Sequence, residues 1–211
     1  MVSLLADTRA FQGLLKRLSS SAASDVTAMW DSTDTFTEVE ELYPPLADRY
    51  TAAAGTLAAQ WYYDLNPDVP FETRVADLPD AGQLRASVGW AYTQSDTVRA
   101  LIGATERHMF GTARQTVVQN AVRENVRFAR YASANACAWC QVLATNPARY
   151  RTEESAVAGH DGCNCMAVPV REGTDWTPPA YVAEWEQQYA DARDAVGGDL
   201  NDITNYLRRQ N

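Results

Sequence analysis

The sequence is poor in several residues that commonly carry catalysis or membrane insertion. Only two histidines, His108 and His160, and four cysteines occur in 211 residues, so the usual partners of a nucleophile are scarce. No apolar run approaches the roughly 18 residues needed to cross a bilayer. The first 18 residues lack the basic, apolar and small-residue order of a signal peptide. We therefore expect no membrane association, and folding in a reducing cytoplasm where disulfides rarely persist.

Basic residues are also in deficit. The chain has 18 Lys and Arg against 27 Asp and Glu, a formal net charge of −9. This argues against a protein that coats nucleic acid, because phosphate binding needs clustered cations. Arg114, Arg123, Arg127 and Arg130 do lie close together, but Glu124 interrupts them. The pattern is typical of a solvated helix face.

Apolar residues recur at helical spacing over most of the chain. A first helix should be interrupted at the serine-rich residues 19–24, and Pro44-Pro45 should open a second that runs to about residue 65. Residues 66–80 contain three prolines and are typical of an extended connector.

Further helices are predicted beyond this connector. They cover about residues 84–92 and 96–109, with a break at Gly111 and a long helix over 112–134. The sequence MAVPV at 166–170 predicts a short strand.

The last part of the chain, residues 177–211, shows a second regular pattern. Its aromatic and aliphatic residues recur every three or four positions, which predicts an amphipathic helix or helix pair with a kink or break at Gly197-Gly198. This apolar stripe comprises Tyr181, Trp185, Tyr189, Ala192, Val196, Leu200, Ile203 and Leu207. It would dock either on the protein itself or on a partner, and the pattern does not separate the two.

The predicted fold class is mainly α, with a small Cys/His-stapled α+β module near the C-terminal third. We divide the chain into an N-terminal helical region at 1–65, the connector at 66–80, a core at 81–176 and a helical tail at 177–211. The module occupies residues 137–170 of the core.

The cysteines of this module are closely spaced. Cys137-x-x-Cys140 is followed by Cys163-x-Cys165, and His160 precedes Cys163 by three positions. Thiolates and a neutral imidazole are the ligands that zinc prefers in tetrahedral structural sites. Because zinc needs four ligands, the favoured set is Cys137 and Cys140 with two of the other three. Cys163 and Cys165 would point to opposite sides of an extended backbone, which would leave one of them outside the site.

Other interpretations of the cluster remain open at this point. The cysteines would form disulfides in oxidising surroundings, or would simply be buried thiols. The H-x-E that precedes P-C-x-x-C in zinc deaminases is absent, as is H-E-x-x-H. A nucleophilic pair of Cys140 with His160 is formally available, and His108 is interpreted as an ordinary helical surface or packing residue. We therefore expect a structural zinc ion and no enzymatic activity.

Two segments, ACAWCQVLATNPARY and HDGCNCMAVPV, resemble the minor head proteins of tailed bacteriophages, the phage Mu F-like group. The similarity is to the form common in phages of actinobacteria, and it covers about residues 112–171. The features that carry it are Cys137, Trp139, Cys140, Tyr150, His160, Cys163, Cys165 and the apolar Val168–Val170.

The resemblance implies a minor capsid protein, made in the host cytoplasm and carried in few copies inside the virion head. Its expected partners are the portal protein, the major capsid protein or both, with weak contact to packaged DNA. A first alternative is a capsid maturation protease, although the chain has no spare length for a fused protease domain. A second alternative is a zinc-stabilised protein that contacts DNA during packaging or ejection.

Overall fold

The computed structural model describes residues 3–145, 162–174 and 176–210, which form seven helices and a two-stranded sheet. This confirms the mainly α class with a small α+β module. The elements are α1 Leu4–Asp31, α2 Phe36–Asp64, α3 Ala81–Ala91, α4 Thr97–Glu124, β1 Arg127–Tyr131, α5 Ala138–Ala144, β2 Met166–Val170, α6 Val182–Val196 and α7 Leu200–Gln210. Among the described helices, none has the length and apolar character that a membrane span requires.

Helix α1 is continuous through its serine-rich segment, so the predicted interruption is wrong. The hydroxyls of Ser20, Ser21 and Ser24 each donate to the carbonyl four residues earlier, which satisfies them without leaving the helix. Ser19 instead donates to Glu106 of α4 at 2.7 Å. A long helix can thus include several serines when their hydroxyls hydrogen-bond to its own backbone or to a neighbouring helix.

Helix α2 begins eight residues before the prolines that were expected to open it. Thr35 caps the helix, and its side chain and that of Glu38 form a reciprocal capping box. Pro44 and Pro45 therefore lie inside the helix, where each removes one backbone hydrogen bond. Tertiary packing compensates, because Tyr43 beside them is fully buried.

Helix α4 differs from the prediction in two ways: it has no break at Gly111, and it ends before residue 134. It passes through Gly111 without a break and ends at Glu124, since one glycine costs a helix only about 1 kcal/mol. Asn125 then adopts a left-handed conformation with φ of 58°. The following residues form β1, so the predicted helix over 112–134 is wrong after residue 124.

The predicted strand at 166–170 is confirmed as β2, and β1 is its antiparallel partner. Tyr131 lies opposite Met166 and Arg127 opposite Val170. A two-stranded sheet is marginally stable alone. Here Phe128, Met166 and Val168 are buried in the same apolar cluster as α1, α2 and α4, so the helices stabilise the sheet.

The connector at 66–80 lies along α4. The Asn120 side chain accepts from the Arg74 amide at 3.1 Å and donates to the Arg74 carbonyl at 2.7 Å. Thr116 accepts from the Ala76 amide at 3.0 Å. These side chains replace the backbone partners that an extended segment outside a sheet would otherwise lack.

Polar side chains link the end of α4 to α2 and to the residue after β2. We call this group, Tyr62, Glu124 and Arg171, the latch. Arg171 donates two hydrogen bonds of 2.7 Å to the Glu124 carboxylate, and the Tyr62 hydroxyl donates to the same group. The Arg171 guanidinium also lies over the Tyr62 ring, 4.8 Å from its centroid. Both charged side chains are only 11% exposed.

The C-terminal helices dock on the protein itself, which answers the question that the sequence left open. Val182 and Trp185 of α6 belong to an apolar cluster with the cysteines. Ile203 and Leu207 of α7 pack with α5. The predicted break is present, and Gly197 has a positive φ of 88°, a conformation that favours glycine.

Candidate metal centre

The Cys-x-x-Cys pair lies at the start of α5. Cys137 occupies the N-cap position with an extended backbone, and its side chain makes no capping hydrogen bond. Cys140 lies one turn into the helix and is buried. Residues three apart on a helix face the same side, so this spacing directs both cysteines toward the chain that precedes β2.

The second pair, Cys163 and Cys165, lies just before β2 begins at Met166. Gly162 has a positive φ of 73°, which lets the chain turn sharply into this pair. The expectation that one of these cysteines would point away is wrong: their sulfurs are 3.0 Å apart. The alternation that suggested it applies only to an extended strand, and the strand starts after Cys165.

Three buried sulfurs form one compact group. Cys140 Sγ is 3.2 Å from Cys163 Sγ and 3.5 Å from Cys165 Sγ. These separations are well beyond a disulfide bond of about 2.05 Å. Zinc–sulfur bonds of about 2.3 Å would place the sulfurs of a tetrahedron roughly 3.8 Å apart, so a small outward shift would accommodate an ion. The three thiols could therefore bind a metal.

The other two candidate ligands are Cys137 and His160. Cys137 is exposed, but it lines the same cavity of about 240 Å³ as the three buried cysteines and its side chain hydrogen-bonds Cys140. His160 and Tyr150 lie outside the described residues. The structure thus brings four of the five predicted ligands to one cavity.

Two buried arginines border the sulfurs. Arg130 of β1 donates through Nη2 to Cys165 Sγ at 2.9 Å. Arg114 of α4 donates through Nη1 to the carbonyls of Cys165 and Cys163, at 3.2 and 3.4 Å, and lies 3.9 Å from Cys163 Sγ. Arg114 is 1% exposed and Arg130 is 2% exposed. Two buried guanidinium groups therefore lie next to the cysteines that line the cavity.

The sulfurs influence one another's ionisation. Hydrogen bonds with Cys137, Cys163 and Cys165, followed by burial, raise the pKa of the Cys140 thiol. Hydrogen bonds with Cys140 and Cys165 lower the pKa of Cys163, and the charge of Arg114 lowers it further. Without an ion, closely spaced thiols cannot all ionise. A bound divalent cation would remove that conflict, because it stabilises every thiolate that contacts it.

Helix α1 holds the second cysteine pair in place. The buried Gln12 side chain donates to the Asn164 carbonyl at 2.7 Å and accepts from the Ser133 hydroxyl at 3.1 Å. It thus joins the chain before β2 to the segment between β1 and α5.

Sequence reasoning did not assign Arg114, Arg130 or Gln12 to the site. A signal for Arg114 was present, since it lies among Phe110, Val117 and Val118 on the buried face of α4, where a charge requires a partner. No comparable signal marked Arg130 or Gln12. Because Arg114 and Arg130 are buried, they are not part of an exposed basic surface that could contact DNA.

A larger cleft of about 660 Å³ lies between α3 and α4. There the Ser87 hydroxyl is 3.0 Å from His108 Nε2, which agrees with His108 as a packing residue. Ser87 also donates to the Gln83 carbonyl at 3.2 Å. A hydroxyl has one proton, so His108 would then act as the donor to Ser87. A nucleophilic serine needs the reverse polarity, and the pair fits a contact between helices better than a catalytic dyad.

Comparisons with known proteins identify the family but supply no close relative. Searches of curated proteins and of solved structures give no significant match. The family model described as VG15 protein matches residues 4–192, which extends from the start of α1 into α6 and includes all four cysteines. The chain therefore belongs to the VG15 protein family, a family of viral proteins.

Proposed function

We propose that this protein is a minor capsid protein of a tailed bacteriophage, with a structural rather than enzymatic role at the portal inside the head. The observation that carries the proposal is the match to a viral family over residues 4–192. The resemblance of the two cysteine segments to Mu F-like minor head proteins supports the specific role. It further suggests that the portal or the major capsid protein is the partner.

We also propose that the cysteine site holds structural zinc. A set of closely packed thiols suits a soft, tetrahedral ion. The sulfurs join α5 to the chain before β2, and Arg130 links them to β1. A bound ion would thus hold together segments that lie far apart in the sequence.

Purified under reducing conditions without added metal, the protein is expected to contain about one zinc ion per chain. All four thiols should react with a thiol reagent only after denaturation or chelation, because metal coordination protects them. Elemental analysis and a thiol count measure both. Two disulfides and no metal would contradict the zinc proposal while leaving the capsid role open.

The charge distribution suggests which surface meets a capsid partner. Residues 18–48 contain seven acidic residues and no Lys or Arg, so this stretch carries −7 of the net −9. The seven are Asp25, Asp31, Asp34, Glu38, Glu40, Glu41 and Asp48. We use the name acidic tip for residues 31–42, where α1 turns into α2. This tip is about 30 Å along α1 from Gln12 at the metal centre.

Apolar side chains are exposed on the same tip. Phe36 and Leu42 are 43% and 49% exposed, and Tyr92, at 38%, packs its ring against Phe36. Aromatic side chains are enriched at the centre of protein–protein interfaces, and polar side chains form the rim around them. We propose that the acidic tip contacts a basic surface of the portal or major capsid protein.

Reversing two charges on the acidic tip, with Asp34→Lys and Glu41→Lys, is expected to reduce incorporation into heads about tenfold, because about 1.4 kcal/mol of binding is lost. The measurement uses co-expression with the portal and major capsid proteins of the same virus. Heads are then isolated by sedimentation and the protein in them is quantified.

The matched control is Glu186→Lys with Asp194→Lys, which makes the same change of charge on exposed positions of α6. It should incorporate like the wild-type protein. Equal losses in both variants would refute the tip as the contact surface. Absence of the wild-type protein from heads would refute the capsid role itself.

A further inference from the structure

The buried charge of Arg114, next to the cysteine cluster, needs an explanation of its own. Taking a guanidinium out of water costs several kcal/mol unless a negative partner repays it. No carboxylate among the described residues forms an ion pair with Arg114. Its Nε is buried and has no hydrogen-bond partner there. Its described hydrogen bonds go to the two cysteines before β2.

A metal centre would supply the missing negative charge. A divalent ion with four thiolates carries a net charge of −2, and one with three thiolates and a neutral ligand carries −1. The two guanidinium groups that contact Cys163 and Cys165 would offset such a charge. Hydrogen bonds to metal-bound sulfur also orient the ligand and tune its electron density.

We propose that Arg114 and Arg130 are the charge partners of a metal–thiolate centre, and that they raise its affinity for a soft divalent cation. This inference rests on the metal site proposed above. The two residues act differently. Arg130 contacts the sulfur of Cys165 directly, whereas Arg114 mainly holds the backbone of Cys163 and Cys165 through their carbonyls.

The test uses the full chain, reduced and metal-free, titrated with cobalt(II) against a competing chelator. Arg130→Met should weaken cobalt binding 10- to 100-fold, the usual effect of losing a partner of a metal ligand. The sulfur-to-cobalt charge-transfer band should also move to longer wavelength, because a sulfur without its donor holds its electrons less tightly. Arg114→Met should weaken binding with a smaller shift of the band, since its guanidinium is further from sulfur.

The matched control is Arg123→Met. Arg123 lies on the outer side of α4, where it packs over Phe71 at 4.2 Å and donates to the Glu72 carbonyl. This variant removes the same charge without touching a sulfur, so its affinity and spectrum should match the wild type. Arg130→Lys keeps the charge but changes the donor, and should fall between Arg130→Met and the wild type in both measurements.

Wild-type affinity and an unshifted band in Arg130→Met would overturn the inference and leave the metal site intact. Failure of the wild-type protein to bind cobalt would overturn both. If Arg130→Met does not fold, Arg130→Lys decides: a shifted band supports the charge-partner role and an unshifted band refutes it.

Discussion

Chelation of the metal from the reduced protein is expected to destabilise the cysteine module by about 5 kcal/mol or more, because structural zinc sites contribute of order 10 kcal/mol. The loss should be local. Cys140, Cys163 and Cys165 are themselves members of the apolar cluster that includes Trp185, whereas the clusters between α1, α2, α3 and α4 contain no cysteine among their described members.

Hydrogen exchange before and after chelation measures this effect. Amides of α5 should exchange at least a thousandfold faster after chelation, since each 1.4 kcal/mol corresponds to tenfold. Amides in the middle of α2 serve as the internal control and should change little. Unchanged exchange in α5 of protein shown to have lost its metal would mean that the ion does not stabilise the module.

Arg171→Met is expected to lower the free energy of unfolding by about 3 kcal/mol. The change leaves the Glu124 carboxylate largely buried with its main partner gone, and breaking such a pair costs far more than forming it gains. The measurement is denaturant unfolding at neutral pH. It should include a constant concentration of zinc and reductant, so that the metal site does not contribute to the difference.

Arg49→Met is the matched control for this variant. Arg49 donates to Asp25 at 2.6 Å, but the two side chains are 63% and 46% exposed. Exposed pairs contribute about 0–1 kcal/mol, so the control should lose less than about 1 kcal/mol. Equal effects of the two substitutions would show that burial of the latch has no energetic consequence.

The latch also predicts a dependence on pH. Burial by itself would raise the pKa of Glu124, but hydrogen bonds from Arg171 and Tyr62, with the charge of Arg171, outweigh it and lower the pKa below 4.5. A lowered pKa gives stability above the unfolded value that is lost as pH falls through the folded value. The difference between wild type and Glu124→Gln should therefore be largest near neutral pH and shrink below pH 4.5.

Local sequence patterns predicted the structure correctly where only neighbouring residues determine the backbone conformation. The break at Gly197-Gly198 and the strand at 166–170 are both present, since glycine conformation and strand composition depend on a few adjacent residues. Patterns misled where long-range packing outweighed them. Pro44, Pro45 and Gly111 each read as helix boundaries, yet each lies inside a helix.

The sequence alone determined that this protein is mainly helical and that its cysteines form two closely spaced pairs, because helical periodicity and residue spacing can be read along the chain. Only the structure showed that both Cys163 and Cys165 face Cys140. Only the tertiary structure decided which groups surround the sulfurs. Arg114 comes from α4 and Arg130 from β1, 49 and 35 positions away from the cysteines they contact. The register of β1 on β2, and the packing of both against α4, bring those guanidinium groups to the cysteines, and neither depends on a pattern within one segment.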